Sequence, residues 1–254
     1  MSAEREGGRA ASTTRGPLAL VTGANRGLGH EVARLLAMRG ASVLLTGRDA
    51  ARALDAAAAL AATGLRVQAR TLDVRSDASV RALAAAVAAE HGWLDILVCN
   101  AAVFLPRDET VLTADLAVTR DLFETNLYGV WRVCQACVPL LRRSEHGRIV
   151  IVSSGAGSHG DPRYGLTTAN GTVASYAISK AALNALTAKL AAELAGSGVL
   201  VNAVCPGLTA TAPGMEQLGA RPVGEGAAGI VWAATLPDDG PSGGFFRDGQ
   251  SLPW

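Results

Sequence analysis

Charge of one sign is what this chain most plainly lacks: 23 Lys and Arg stand against 22 Asp and Glu, for a formal net charge of +1. Proteins that bind nucleic acid or another polyanion usually carry a clear basic excess, so that class is set aside. Aromatic residues are scarce at 4%, and the histidines, His30, His91, His146 and His159, lie too far apart to share a zinc ion. No metal site is expected. The four cysteines, Cys99, Cys134, Cys137 and Cys205, show no framework of a disulfide-rich secreted domain. Cys134 and Cys137 form a C-x-x-C, but a redox pair belongs at a helix N-terminus after a strand, and this one falls well inside a helical pattern. Buried small residues are the expectation there. Residues Met1 to Gly16 are polar and lack the apolar run of a signal peptide or membrane span, so they read as a disordered tail. A cytoplasmic protein with no membrane partner follows.

What the chain does have is a high apolar content, 49%, rich in alanine, and a regular alternation of apolar runs with helical periodicity. Strands are expected at Leu18–Thr22, Ser42–Thr46, Leu65–Leu72, Leu94–Cys99, Gly147–Ser153 and Val199–Val204, with a last one around Gly244–Phe246. Between them lie helical segments at about His30–Arg39, Ala50–Thr63, Asp77–Glu90, Leu112–Arg143, Ala174–Ala195 and Glu225–Ala234. Strands that are apolar on both faces and alternate with helices imply a parallel sheet covered on two sides. The reading is one doubly wound, Rossmann-type α/β domain spanning 17–254, with no linker and no repeat.

The first strand breaks into Thr22-Gly23-Ala24-Asn25-Arg26-Gly27-Leu28-Gly29 and then a helix. Glycines there permit a tight turn and let the backbone approach a pyrophosphate lying at the positive end of the helix. The end of the second strand decides which dinucleotide fits: an acid bonds a ribose 2′-hydroxyl, whereas arginine accommodates a 2′-phosphate. Arg48 falls at that place and Arg26 can reach the same phosphate, so NADP(H) is preferred over NAD(H), with Asp49 as the counter-argument.

Near the other end, Tyr176 and Lys180 are four apart, one turn from each other on one helix face. An ammonium beside a phenol lowers its pKa from about 10 and makes it a usable general acid/base. The segments TGANRGLG, LDILVCNAA, ETNLYGV, IVSS, YAISK and VCPG, in this order and approximate spacing, resemble the short-chain dehydrogenase/reductase family over about Leu18–Trp254. The closing GGFFRDGQSLPW looks like members that reduce carbonyl compounds. The resemblance implies that Ser154 bonds the substrate oxygen, Tyr176 moves its proton, Lys180 holds the nicotinamide ribose and Asn126 positions a water. It further implies Gly23, Asn25, Arg26, Gly27, Leu28, Gly29 and Arg48 on the cofactor phosphates and ribose, and Asp73 and Val74 at the adenine. Asn100 and Ala101 would line the central cleft, and Pro206, Gly207 and Thr209 would lie along the nicotinamide.

Two features depart from the family pattern: Cys99-Asn100-Ala101-Ala102 replaces its usual Asn-Asn-Ala-Gly, and 22 positions separate Ser154 from Tyr176, more than in many members. The extra residues would sit over the substrate cleft, with His159, Arg163 and Tyr164 as candidate substrate contacts. Comparable insertions occur in monomeric carbonyl reductases of the family, so a dimer or tetramer is possible without being implied. The expected function is interconversion of a small-molecule ketone or aldehyde and its alcohol, with an open cleft suited to a mid-sized cyclic ketone. The alternative is an inactive NADP(H)-binding sensor or scaffold of the same fold, expected to lose the tyrosine or lysine that this chain keeps.

Overall fold

Short apolar runs cut by glycine turns form the strands of the computed structural model, which describes residues 16–104 and 108–254. The chain-order elements are β1 (Leu18–Val21), α1 (Gly27–Met38), β2 (Ser42–Gly47), α2 (Ala50–Ala61), β3 (Val67–Thr71), α3 (Asp77–Glu90) and β4 (Ile96–Cys99). They continue with α4 (Leu116–Phe123), α5 (Val130–Leu141), β5 (Arg148–Val152), α6 (Ala174–Glu193), β6 (Leu200–Val204), α7 (Val223–Ala234), β7 (Phe245–Arg247) and β8 (Gln250–Ser251). The eight strands make one sheet in the order β3-β2-β1-β4-β5-β6-β7-β8. All pairings are parallel except the last.

Alternate strand residues feed two separate cores. Ala19, Val21, Val43, Val98 and Val150 pack on one face under α1, α2 and α7. Leu18, Leu20, Leu44, Leu97 and Ile149 pack on the other under α3, α5 and α6. The continuous apolar strands read from the sequence are the consequence of this double cover. Strand order reverses between β1 and β4, which opens a crevice at the carboxyl ends of the strands.

Three sequence expectations are corrected. The helix expected from Leu112 to Arg143 is two helices joined by a π-helical turn, Glu124–Gly129. The extra residue of that turn brings Asn126 into the interior, where it is 0% exposed, and Gly129 against Val74, which a Cβ at 129 would meet at 2.7 Å. α1 begins at Gly27, not near His30, so the glycine turn itself forms its first residues. The last strand is half of a hairpin: Asp248 and Gly249, both at positive φ, turn β7 back into β8. An Asp-Gly pair is the sequence signal for such a hairpin. The tail expected at Met1–Gly16 falls, apart from Gly16, outside the described residues. Among those residues no helix is long and apolar enough to cross a membrane.

Leu97 is fully buried in the central strand. Leu97→Ala is expected to cost about 2–5 kcal/mol, seen as a lower urea midpoint at unchanged denaturant slope.

Candidate active site

Every strand from β1 to β6 delivers residues to one cleft of about 1310 Å³ at the carboxyl edge of the sheet. Its floor at one end is the glycine turn. Gly23 and Gly27 take φ of +63° and +57°, which ordinary side chains rarely adopt. A Cβ on Gly29 would stand 2.4 Å from Asn100 Nδ2 and 2.7 Å from the Gly23 carbonyl oxygen. The turn is locked from the side by β4: Asn100 Nδ2 donates to the carbonyls of Thr22 (2.9 Å) and Gly23 (3.0 Å), and the amides of Asn100 and Ala101 donate to Thr22 Oγ1 at 3.0 Å. Asn25, Arg26 and Leu28 line the same end, which is shaped to admit a pyrophosphate.

Beyond the turn stand Arg48, Asp73 and Val74, again on the cleft wall. Asp49 is occupied as the N-cap of α2, accepting from Arg52 N at 3.1 Å, and its carboxylate lies 3.3 Å from Arg52 Nε. Arg26 and Arg48 are exposed, and Arg52, which the sequence reading did not single out, joins them on the wall.

At the far end Ser154, Tyr176 and Lys180 converge on the cleft. The Tyr176 phenol hydrogen-bonds Ser154. Lys180 Nζ, on a residue only 2% exposed, donates to the Val152 carbonyl at 2.8 Å and lies 5.6 Å from the Tyr176 ring centroid. Phe104 meets that ring edge-on at 4.7 Å between centroids. Pro206, Gly207 and Thr209 form the opposite lip, where Thr209 Oγ1 bonds the carbonyls of Pro206 and Gly207 within its own turn. Two expected residues lie elsewhere. Asn126 sits behind the cleft, its side chain clasping the Val103 amide (2.8 Å) and carbonyl (3.0 Å) and reaching Ser179 Oγ. His159 is exposed and forms no part of the wall, whereas Arg163 and Tyr164 do.

Comparison with known proteins identifies the family. The family described as short chain dehydrogenase matches residues 17–220. The chain belongs to the short-chain dehydrogenase family. Among its relatives, the 3-oxoacyl-[acyl-carrier-protein] reductase FabG of Escherichia coli is 36% identical over 77% of this chain and 75% of its own. The structure of salutaridine reductase from Papaver somniferum superposes with a TM-score of 0.76 at 29% identity, covering 91% of this chain and 99% of that one. A metagenomic short-chain oxidoreductase in complex with NADP gives 0.75 at 30% identity, covering 91% and 97%. The protein is thus an oxidoreductase of a family that uses nicotinamide cofactors.

The short-chain dehydrogenase site sets its own electrostatics. Burial pushes the Tyr176 phenol up to about 12, against the pull of the Ser154 hydrogen bond, with the Cys205 sulfur adding a smaller push. Burial lowers Lys180 to about 8, partly offset by Cys205. The expectation that Lys180 depresses the tyrosine is therefore not met here: its ammonium is committed to Val152 and desolvated, and burial dominates the phenol. The C-x-x-C is confirmed as core: Cys134 and Cys137 are buried in α5, and burial raises the Cys137 thiol to about 12.

One contributor had no signal in the sequence. Glu109 lies 66 positions before Ser175, yet its carboxylate accepts from Ser175 N (2.6 Å) and Ser175 Oγ (2.8 Å). It caps α6, the helix that carries Tyr176 and Lys180, where the preceding Val173 is left-handed and supplies no cap of its own.

The lysine shift sets a stability profile. An unfolded Lys180 binds its proton up to its ordinary 10.5, while the folded one releases it at about 8, so stability rises with pH across that window. Tyr176 works the other way between 10 and about 12, where the unfolded chain loses a proton that the folded one keeps. Urea unfolding from pH 8 to 10 is expected to show wild type gaining stability relative to Lys180→Met, by at most about 3 kcal/mol. A flat difference would show that Lys180 is not desolvated.

Proposed function

We propose that this chain is an NADP(H)-dependent reductase that converts a ketone or aldehyde to the alcohol. The observation that carries this reading is the meeting of Ser154, Tyr176 and Lys180 at the end of the same cleft whose other end is the glycine turn. When bound, the dinucleotide supplies hydride from its nicotinamide ring. Ser154 Oγ then orients the carbonyl oxygen and stabilises the charge that develops on it. Tyr176 donates the proton: a phenol at about 12 is fully protonated at neutral pH and still a stronger acid than the alcohol it forms, which suits the reducing direction. Lys180, held by the Val152 carbonyl, would hold the ribose of the bound dinucleotide. Asn126, which clasps Val103, acts by fixing the loop after β4.

NADP(H) is favoured by the guanidiniums of Arg26, Arg48 and Arg52 around one wall, with Asp49 engaged at the α2 cap in place of a ribose hydroxyl. The NADP complex of a similar metagenomic enzyme supports the same choice. The substrate lies between Tyr164 and Phe104 on one side and Leu208, Pro213 and Met215 on the other, an apolar and aromatic surround fitting a ring-bearing ketone.

Oxidation of NADPH by a panel of ketones, aldehydes and quinones tests the reaction. Tyr176→Phe is expected to lower kcat/KM by about 10²–10⁴-fold with NADPH affinity unchanged. Turnover that survives the substitution removes Tyr176 as proton donor. Arg48→Ala is expected to raise the KM for NADPH by about 10–100-fold while leaving that for NADH as it was. Equal effects on both cofactors would reject Arg48 as the 2′-phosphate contact.

A further inference from the structure

Behind the Ser154 end of the cleft lies a charge pair that the reaction above does not use. Asp161 belongs to the insertion between Ser154 and Tyr176, and its side chain is 1% exposed. Its carboxylate accepts the amides of Arg163 (2.9 Å) and Tyr164 (3.1 Å) and pairs with the guanidinium of Arg247 on β7. Arg247 in turn reaches Cys205 Sγ at 3.3 Å, and that sulfur accepts the amides of Gly155 at 3.1 Å and Gly207 at 3.4 Å. A Cβ on Gly155 would lie 2.3 Å from Asp161 Oδ2 and 2.4 Å from an Arg247 nitrogen, so the pair rests directly on the backbone that follows Ser154. On its other side the Arg247 guanidinium lies 5.3 Å from the ring centroid of Tyr164, and that of Arg163 4.9 Å from it. Ser158, fully buried, ties the same loop to the Pro253 carbonyl at 2.6 Å.

We propose that Asp161 and Arg247 are positioning residues that fix the insertion, and with it Tyr164, in register with Ser154 and the Pro206-Gly207 lip. The proposal rests on the reading of Ser154 and Tyr164 as substrate-facing. One pair links three segments that bound the substrate: the loop after β5, the lip after β6 and the insertion between them. Pairing the buried Asp161 with a half-buried Arg247 gives little net stability, whereas removing the guanidinium strands the carboxylate. Its value is therefore geometric. The lowered pKa of Asp161, held down by two amides and the guanidinium against its burial, keeps the carboxylate charged wherever the enzyme works.

The test uses the full chain with Asp161→Asn, Arg247→Met and the double variant Asp161→Leu with Arg247→Met. For the best ketone of the panel, KM is expected to rise about tenfold or more in each variant while NADPH affinity stays put. Iodoacetamide alkylation of Cys205, followed by mass spectrometry, is expected to quicken about tenfold as the loop opens, with Cys99, Cys134 and Cys137 still protected. The double variant is expected to regain the thermal midpoint lost by the singles but not the wild-type KM, since Asp161→Leu leaves the amides of Arg163 and Tyr164 without their acceptor. Unchanged Cys205 labelling in the single variants overturns the proposal. So does faster labelling with wild-type KM and kcat, which would make the pair merely structural. Should wild type turn over no carbonyl at all, the reductase reading falls, and Cys205 labelling still decides whether the pair holds the segments together.

Discussion

At the point where the sheet reverses direction, β1 and β4 stop pairing and their carboxyl ends part. Backbone groups abandoned there by the ladder need partners, because an unpaired buried amide or carbonyl costs about as much as a lost hydrogen bond. Two side chains supply them. Thr22 Oγ1 takes the amides of Asn100 and Ala101, and the Asn100 side-chain amide spans the carbonyls of Thr22 and Gly23. The crevice is held open by these bonds, and they dictate the glycines around it: Gly23 lies against Ala101, and Gly29 against Asn100, each too close for a Cβ. Replacement of the family's usual asparagine by Cys99 is tolerated because that side chain points away from the crevice, into the core beside Cys134.

The same packing that shapes the crevice sets the chemistry at its far end. α6 lies across β5, and the two bury Lys180 against Val152 and bring Tyr176 to Ser154. Desolvation then drives the two groups apart, the phenol up to about 12 and the ammonium down to about 8. Both changes favour neutral forms, as desolvation requires, and in the proposed reduction the raised phenol would release its proton only to an alkoxide. The electrostatic cost falls on the fold. Glu109, capping α6 from a loop distant in sequence, is one of the interactions that offset it.

Much of this was legible in the residues. Strands apolar on both faces, the glycine turn and the Tyr-Lys spacing are local patterns, and each maps onto an element within a few positions. The long helix expected over Leu112–Arg143 failed because alanine-like periodicity cannot distinguish a continuous helix from one carrying a π turn, whose cause, the Asn126 contact with Val103, is tertiary. The insertion is recognisable by its length, but which of its side chains line the cleft, Arg163 and Tyr164 and not His159, depends on the Asp161 anchor and on contacts with Pro253 and Trp254. The Tyr176–Lys180 spacing brings both side chains to the cleft, but a lowered phenol pKa does not follow from it, since spacing gives proximity and says nothing of desolvation.

The insertion shows why a fold would keep a buried ion pair that adds little to stability. An apolar plug could cover Gly155 as well as Asp161 and Arg247 do, and at less cost in desolvation. It could not fix an angle. A carboxylate that accepts two consecutive-turn amides and a guanidinium at once constrains the Arg163–Tyr164 backbone in direction as well as distance, and Arg247 transfers that constraint to Cys205 and the Gly155 and Gly207 amides. Substrate selection by a loop requires that the loop have one conformation before the substrate arrives, because ordering it afterwards would be deducted from binding. The polar anchor is thus what allows a long, glycine-bearing segment to serve as a wall of the cleft.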